Sequence, residues 1–422
     1  MGKHSHRKAQ LLHIQGRVGL HLTVGSPTGL TSLSFQPTNS ILQSGVKMQD
    51  PAELFCPNLD CPSRGQVGKA NISIHSQKER RYLCNVCQHT FSTTKGTLFY
   101  RLRTEPQIVI WVLVLLAHGR PLPAIVAAFE LDPRTVREWQ KRAGQHCEAV
   151  HQHLVGSQPL DLQQVQADEI KVKAQGGSYW MALAMMVATR LWLGGVVSAT
   201  RDPDLITALV AQVRRLALYR PVLIAVDGLA SYVTAFERAF RIPVRRFAGA
   251  KGRPRPEVWP HLPLVQMVKP RHGKTLQIER RVVRGTLATV QRLVHGGQGM
   301  GGINTAFIER LNATFRQRSA HLARRTRHLA HTAAPLTASM YLIGCLYNFC
   351  DPHQRLRRKL WSNEQRYHWV QRTPALAAGL TDHIWTPAEA FTFKVPPPRW
   401  TPPERRGRPS KATLALVAKW WA

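Results

Sequence analysis

Between residues 160 and 268 the hydrophobic period of the chain changes in an order that few folds accommodate. Three apolar runs, Leu160–Val172, Tyr179–Ala188 and Leu191–Thr200, follow one another with only a Gly176-Gly177-Ser178 turn and a tight reversal near Thr189 and Arg190 between them. Runs of that length and composition read as strands, and connections that short join antiparallel neighbours. A helical stretch opened by Asp202 and Pro203 then continues to about Leu216. After it come a β-branched run at Pro221–Val226, a second helix from Ser231 to Phe240, and another strand, Leu264–Val268. Short, uninterrupted apolar strands set between helices belong to sheets covered on both faces. The chain is therefore expected to build one mixed sheet flanked by helices.

Three strands, helix, strand, helix, strand and a later helix fit a ribonuclease H-like α/β fold. In that topology the first and fourth strands lie side by side, which would bring Asp168, in Gln166-Ala167-Asp168-Glu169-Ile170, next to Asp227, which ends the run Val222–Asp227. Successive strand residues point to opposite faces, so Asp168 rather than Glu169 is expected to face the site. The third acid is Glu309, in a helix running to Arg318, where offsets of three and seven residues put Glu309, Asn312 and Arg316 on one face and Asn304 caps the start. Three carboxylates offer hard oxygen ligands suited to a pair of Mg²⁺ (or Mn²⁺) ions roughly 3.5–4 Å apart, the arrangement that clamps the attacking and leaving oxygens of a phosphoryl transfer. Asn312 would position a water or a strand, and Arg316 would neutralise developing phosphate charge. The bland alternative is ordinary strand-end acids and an exposed helical ion pair.

Upstream, Cys56, Cys61, Cys84 and Cys87 are spaced C-x4-C-x22-C-x2-C. Two close thiolate pairs can close a tetrahedral structural Zn²⁺ site and supply folding energy that a module as small as 51–100 lacks; two unrelated buried pairs are the other reading. His89 is expected outside the ligand set, and Cys147, Cys345 and Cys350 in the core. Residues 105–155 carry three amphipathic stretches punctuated by Gly119 and by Asp132-Pro133, a helix-turn-helix pattern with Asp132 as N-cap. Arg134, Thr135, Arg137 and Lys141 would then face a DNA major groove, unless the segment is only a helical spacer.

Charge points to the same partner. Lys and Arg number 58 against 24 Asp and Glu, a net +34, which suits a polyanion such as double-stranded DNA and argues against a small-metabolite enzyme. The apolar run Ile108–Ala117 is too short to cross a bilayer, and the start lacks the apolar stretch and cleavage site of a signal peptide, so a soluble, cytoplasmic protein is expected. Residues 1–50 read as a poorly ordered basic leader. Residues 158–350 are expected to form a catalytic unit, and 351–422 a basic C-terminal extension. A basic helix carrying Arg316, Arg318, Arg324, Arg325 and Arg327 is expected to line a DNA channel. Lys251–Pro256 and Arg405–Pro409, which includes Arg406 and Arg408, are similar to minor-groove AT-hooks, although proline-rich basic linkers give the same letters.

The paired cysteines, the helix-turn-helix, Gln166-Ala167-Asp168-Glu169-Ile170, Val226-Asp227-Gly228 and the helix from Asn304 through Glu309 and Asn312 to Arg316 together resemble a DDE transposase of the insertion sequence one type. The resemblance covers about residues 52–350. It implies metal-dependent nicking at the ends of a mobile element and transfer of the freed 3′-hydroxyl into target DNA, with Asp168, Asp227 and Glu309 as the triad and a homo-oligomer as the working form. A long interval between Asp227 and Glu309 leaves room for an insertion after the fifth strand. A non-catalytic DNA-binding regulator and a metal nuclease without strand transfer remain the alternatives.

Overall fold

The computed structural model describes residues 48–421 apart from 246, 248–250, 273–274, 299–300, 325, 362–365 and 403–406. Most of the expected leader, together with Arg325 and Arg406, lies outside the described residues. The cysteine module has three short antiparallel strands, β1 (Ile72–Ser76), β2 (Arg81–Cys84) and β3 (Thr90–Ser92), in the order β1-β2-β3. Its own core consists of Leu54, Ile72, Tyr82 and Phe91 packed among three of the cysteines. So small a core needs a further source of stability.

Three helices follow, α1 (Pro106–Ala117), α2 (Leu122–Phe129) and α3 (Pro133–Leu154). Helix α2 stops at Glu130, in a left-handed conformation with φ 52°. Asp132 then caps α3 as its sequence predicts, its Oδ1 accepting from the amides of Arg134 at 2.6 Å and Thr135 at 3.2 Å, with Pro133 in the first turn. Helix α3 runs well past the length a helix-turn-helix requires and buries Trp139, Ala143, Cys147 and Val150. It lies so close to α8 (Ala333–Phe349) that a Cβ at Gly144 would collide with the backbone of Ala338.

The remaining elements build the sheet. In chain order they are β4 (Gln164–Ala174), β5 (Gly177–Met186), β6 (Trp192–Ser198), α4 (Pro203–Leu216), β7 (Leu223–Asp227), α5 (Ala230–Ala239), the hairpin β8 (Arg241–Val244) with β9 (Arg255–Val258), β10 (Leu264–Val268), the hairpin β11 (Arg271–His272) with β12 (Thr275–Leu276), β13 (Glu279–Arg284), α6 (Leu287–Gln298) and α7 (Ala306–Arg318). The central sheet has the order β13-β10-β7-β4-β5-β6. Strands β4, β5 and β6 form an antiparallel meander, β7 joins β4 and β10 joins β7 in parallel, and β13 closes the far edge antiparallel. This mixed sheet flanked by helices is compatible with a ribonuclease H-like fold. The first strand begins later than expected. Residues 160–162 leave the sheet because Leu160 bridges Ala217 instead, its amide donating to the carbonyl of Leu216 at 2.6 Å. Strand β13 and helix α6 fill the interval after β10. Their exposed, charged pattern, with four of six β13 residues solvent-facing, is that of a sheet edge.

Two expectations for the C-terminal half need correction. There is no basic helix through Arg327: α7 ends at Arg318, a 3₁₀ turn spans Ala320–Leu322, and Arg324 and Arg327 follow in a loop. Nor is 351–422 merely an extension. An exposed hairpin, β14 (Arg358–Trp361) with β15 (Tyr367–Val370), does project. After it, however, α9 (Pro374–Ala377) and α10 (Pro387–Thr392) pack back onto the helices: Phe391 is fully buried, and Trp385 stacks on Phe349 with ring centres 5.1 Å apart. The same segment ties down the cysteine module. The Leu98 amide donates to the Phe391 carbonyl at 3.1 Å, Arg64 Nε donates to Pro398 O at 2.8 Å, and Gln66 Nε2 donates to the carbonyl of Trp420 in α11 (Lys411–Trp420) at 2.8 Å.

Candidate active site

Strand β7 pairs with β4 only over Leu223–Ala225, opposite Gln164–Gln166; β4 then runs on to Ala174 without β7 beside it. The result is a crevice at the carboxyl end of a parallel pair, where α/β sheets commonly bind ligands. Asp168 stands on one wall, two residues beyond the last paired position, and Asp227 ends the other. Glu309 enters from α7. Gln166, buried in the sheet on the same side as Asp168, holds that helix: its Oε1 accepts from the amides of Phe307 at 3.1 Å and Ile308 at 2.9 Å, and its Nε2 donates to Asn304 O at 2.7 Å. One strand thus carries both a site acid and the cap that fixes the helix bearing another. Asn304 caps too, its Oδ1 accepting from the Ala306 amide at 3.0 Å.

Asp168, Asp227 and Glu309 line one pocket of 510 Å³, together with Arg201, Lys269 and Thr305. Asn312 Nδ2 donates to Asp168 Oδ2 at 2.7 Å. The carboxyl of Asp168 is pushed up to about 7, first by burial and then by the charges of Glu169 and Asp227. Asp227 Oδ1 accepts from the Leu229 amide at 3.0 Å, and Arg201 lies 3.6 Å from Oδ2. Glu309 Oε1 accepts from the Thr305 hydroxyl at 2.9 Å and is paired with Lys269. Arg316, one turn beyond Asn312, does not line the pocket. The cationic positions there belong to Arg201 and Lys269, which approach from α4's leading loop and from the end of β10.

Glu169 departs in part from its expected isolation on the other face. Its carboxylate is held by two groups: Arg201 Nε donates at 2.7 Å to Oε1, and the Tyr232 hydroxyl donates at 2.8 Å to Oε2. Burial pushes the Tyr232 phenol well up, followed by the charge of Glu169, so it stays a donor. Yet oxygens of Asp168, Glu169 and Asp227 all lie within 4.8 Å of one another, a group that does not include Glu309. Beyond Gln166 the β7 side of β4 is open, and carboxylates from both faces of the strand approach one another at that edge. The donor set is all carboxylate, fitting a hard divalent cation.

The four cysteines converge. Sγ atoms of Cys56 and Cys87 are 3.7 Å apart and those of Cys61 and Cys84 3.8 Å, with all four within 4.8 Å of one another. A tetrahedron with Zn–S bonds of about 2.3 Å has edges of roughly 3.8 Å, so this cluster could hold one zinc ion. All four are free thiols. Burial raises the thiols of Cys56 and Cys61, the latter to about 11; at Cys84 burial is outweighed by the amides of Cys87 and Val86, leaving it at about 7. His89 stays outside the cluster, its Nδ1 3.0 Å from the Cys87 carbonyl.

Of the expected DNA contacts, Arg134, Thr135, Arg137 and Lys141 are solvent-exposed on the first turns of α3, as are Arg324 and Arg408 in loops. Arg318 is not free: its side chain is only 17% exposed and is bonded to Asp351. Sequence reasoning missed Gln166, Arg201, Lys269 and Tyr232. Gln166 alone had a usable signal, since it shares a strand face with Asp168. No protein-family model matches the sequence, and a search of curated proteins finds no similar one.

Proposed function

We propose that the chain is a DDE transposase that binds the ends of a mobile DNA element, nicks them, and joins the freed 3′-hydroxyl to target DNA. The observation that carries this reading is the shared pocket of Asp168, Asp227 and Glu309 in a chain of net charge +34. Those three carboxylates would hold Mg²⁺ or Mn²⁺. Bound there, the ions act as Lewis acids and make an oxygen nucleophile available at neutral pH. Asn312 fixes the orientation of the Asp168 carboxylate, Gln166 fixes α7 and with it Glu309, and Arg201 and Lys269 stand where they can meet the non-bridging oxygens of a phosphate. The cysteine cluster, with Zn²⁺, would be a zinc ribbon, and α2 and α3 the helix-turn-helix that reads double-stranded DNA.

A second reading has one observation in its favour. Arg201 and Lys269 already neutralise Asp227 and Glu309, as they would in a DNA-binding regulator that has no catalysis. Incubating the protein with plasmid carrying DNA from either side of its own coding sequence separates the two. Cleavage that needs Mg²⁺ or Mn²⁺ and falls by roughly 10³-fold or more in Asp227→Asn and in Glu309→Gln, as loss of a transition-state clamp requires, supports the transposase. Equal cleavage by wild type and both variants, or none by wild type, refutes it. Absence of 3′-hydroxyl joining products alongside cleavage would reduce the activity to that of a nuclease.

A further inference from the structure

Helix α7 lines two pockets. With 3.6 residues per turn, Thr305 and Glu309 share the side that faces the acids, whereas Phe307, Arg310, Leu311, Thr314 and Arg318 share the opposite one and line a different pocket of 820 Å³. Arg190, in the turn between β5 and β6, and His353 and Arg355, beyond α8, complete it. Four guanidinium groups, Arg190, Arg310, Arg318 and Arg355, surround this space against the single carboxylate of Asp351, which Arg318 already binds. Among the described residues neither Arg310 nor Arg355 has a carboxylate partner.

The placement of Arg190 is built rather than incidental. Its backbone is left-handed at φ 61°, an unfavourable conformation for so large a residue. Its carbonyl accepts from the Tyr347 hydroxyl at 3.1 Å, and its guanidinium lies 3.8 Å from the centre of the Phe307 ring. Burial, and then the like charges of Arg310 and Arg355, disfavour its charged form against the pull of Tyr347. His353 is held down by burial and by Arg190, Arg310 and Arg355, and its Nδ1 accepts from the Arg355 amide at 3.3 Å. Crowded positive charge of this kind is relieved by an anion.

We propose that this pocket binds phosphate, supplied by the backbone of a DNA strand passing behind the helix that carries Glu309. Guanidinium forks match phosphate oxygens in pairs, and the apolar wall of Met185, Phe307 and Leu311 suits the sugar beside them. A helix with its side chains is about 10–12 Å across, so a strand with one phosphate at the acids could place another here roughly three or four nucleotides away, at about 3.4 Å per nucleotide. The choice of DNA as the source rests on the transposase reading; the phosphate chemistry does not.

The test is the variant Arg310→Gln with Arg355→Gln, two exposed positions whose replacement is expected to leave the fold intact, with circular dichroism as the control. Binding of a labelled duplex is measured across a salt series, and binding of inorganic pyrophosphate by calorimetry. Each lost phosphate contact removes about 0.9 from the slope of log affinity against log salt, so the variant is expected to lose about 1 to 2 and to bind pyrophosphate at least several-fold more weakly. An unchanged slope with weakened pyrophosphate binding would overturn DNA as the source and leave a site for a free phosphate compound. No change in either measurement overturns the proposal. Should wild type fail to bind duplex at all, the transposase reading fails, and the pyrophosphate comparison alone decides the pocket.

Discussion

At the scale of single residues, Asp168 is the costliest group in the crevice. It is buried beside Glu169 and Asp227, and its carboxyl titrates near 7 instead of at its usual 3.8. The folded state therefore keeps a proton that the unfolded chain gives up, and stability contributed by the neutral form is lost as pH rises from about 4 through 7. Asp168→Asn is expected to stabilise the protein at pH 8, in buffer without added divalent cation, by an amount on the order of 1–3 kcal/mol, read as a higher thermal midpoint, and by less at pH 5.5. Thermal melts of both proteins at the two pH values check this, and an equal shift at both would exclude ionisation as the cause. The three acids were legible because each sits at a recognisable place, within a long apolar strand, at the end of a second strand, or on a patterned helix. Their cationic neighbours Arg201 and Lys269 were not, because surface arginines and lysines are everywhere in this chain and only the closed fold shows which two enter the pocket.

Two elements set the geometry, and both depend on short-range chemistry. Helix α7 is anchored at its start by the side chain of Gln166, whose loss would leave the Phe307 and Ile308 amides without an acceptor. Gln166→Ala should destabilise the protein by about 1–3 kcal/mol. It should also lower metal-dependent cleavage more than DNA affinity; equal losses in chemical denaturation, cleavage and binding would mean global damage instead. The cysteine module depends on its cluster, so purified protein is expected to carry one zinc per chain by elemental analysis, falling to a small fraction in Cys84→Ser with the signals of residues 51–100 lost from the folded spectrum. Retention of zinc by that variant would exclude the cluster as the binding site. The meander, α4, β7, α5 and β10 were foreseen within a few residues because their hydrophobic period is strong. Strand β13 and helix α6 were not, since an edge strand reading Glu279-Arg280-Arg281-Val282-Val283-Arg284 has no buried alternation to reveal it.

For the molecule as a whole, the C-terminal segment changes the division of the chain. The sequence beyond residue 350 reads as a basic extension; instead Phe391 and Ala375 enter the main core, and backbone groups of Phe391 and Pro398 accept bonds from the first hundred residues. Nothing local in the sequence could announce contacts across some three hundred positions. Truncation after residue 372 is expected to expose Phe349 and loosen the cysteine module, seen as a lower melting midpoint and as faster amide exchange around Leu98; unchanged exchange there would show that the segment braces nothing. No described helix is long and apolar enough to cross a membrane. There is also a temporal side to the bond from Leu98 to Phe391. On the ribosome Leu98 must wait for some three hundred further residues before its acceptor exists, so a product stopped short of Phe391 would leave the exposed α3 arginines without the finished framework that positions them.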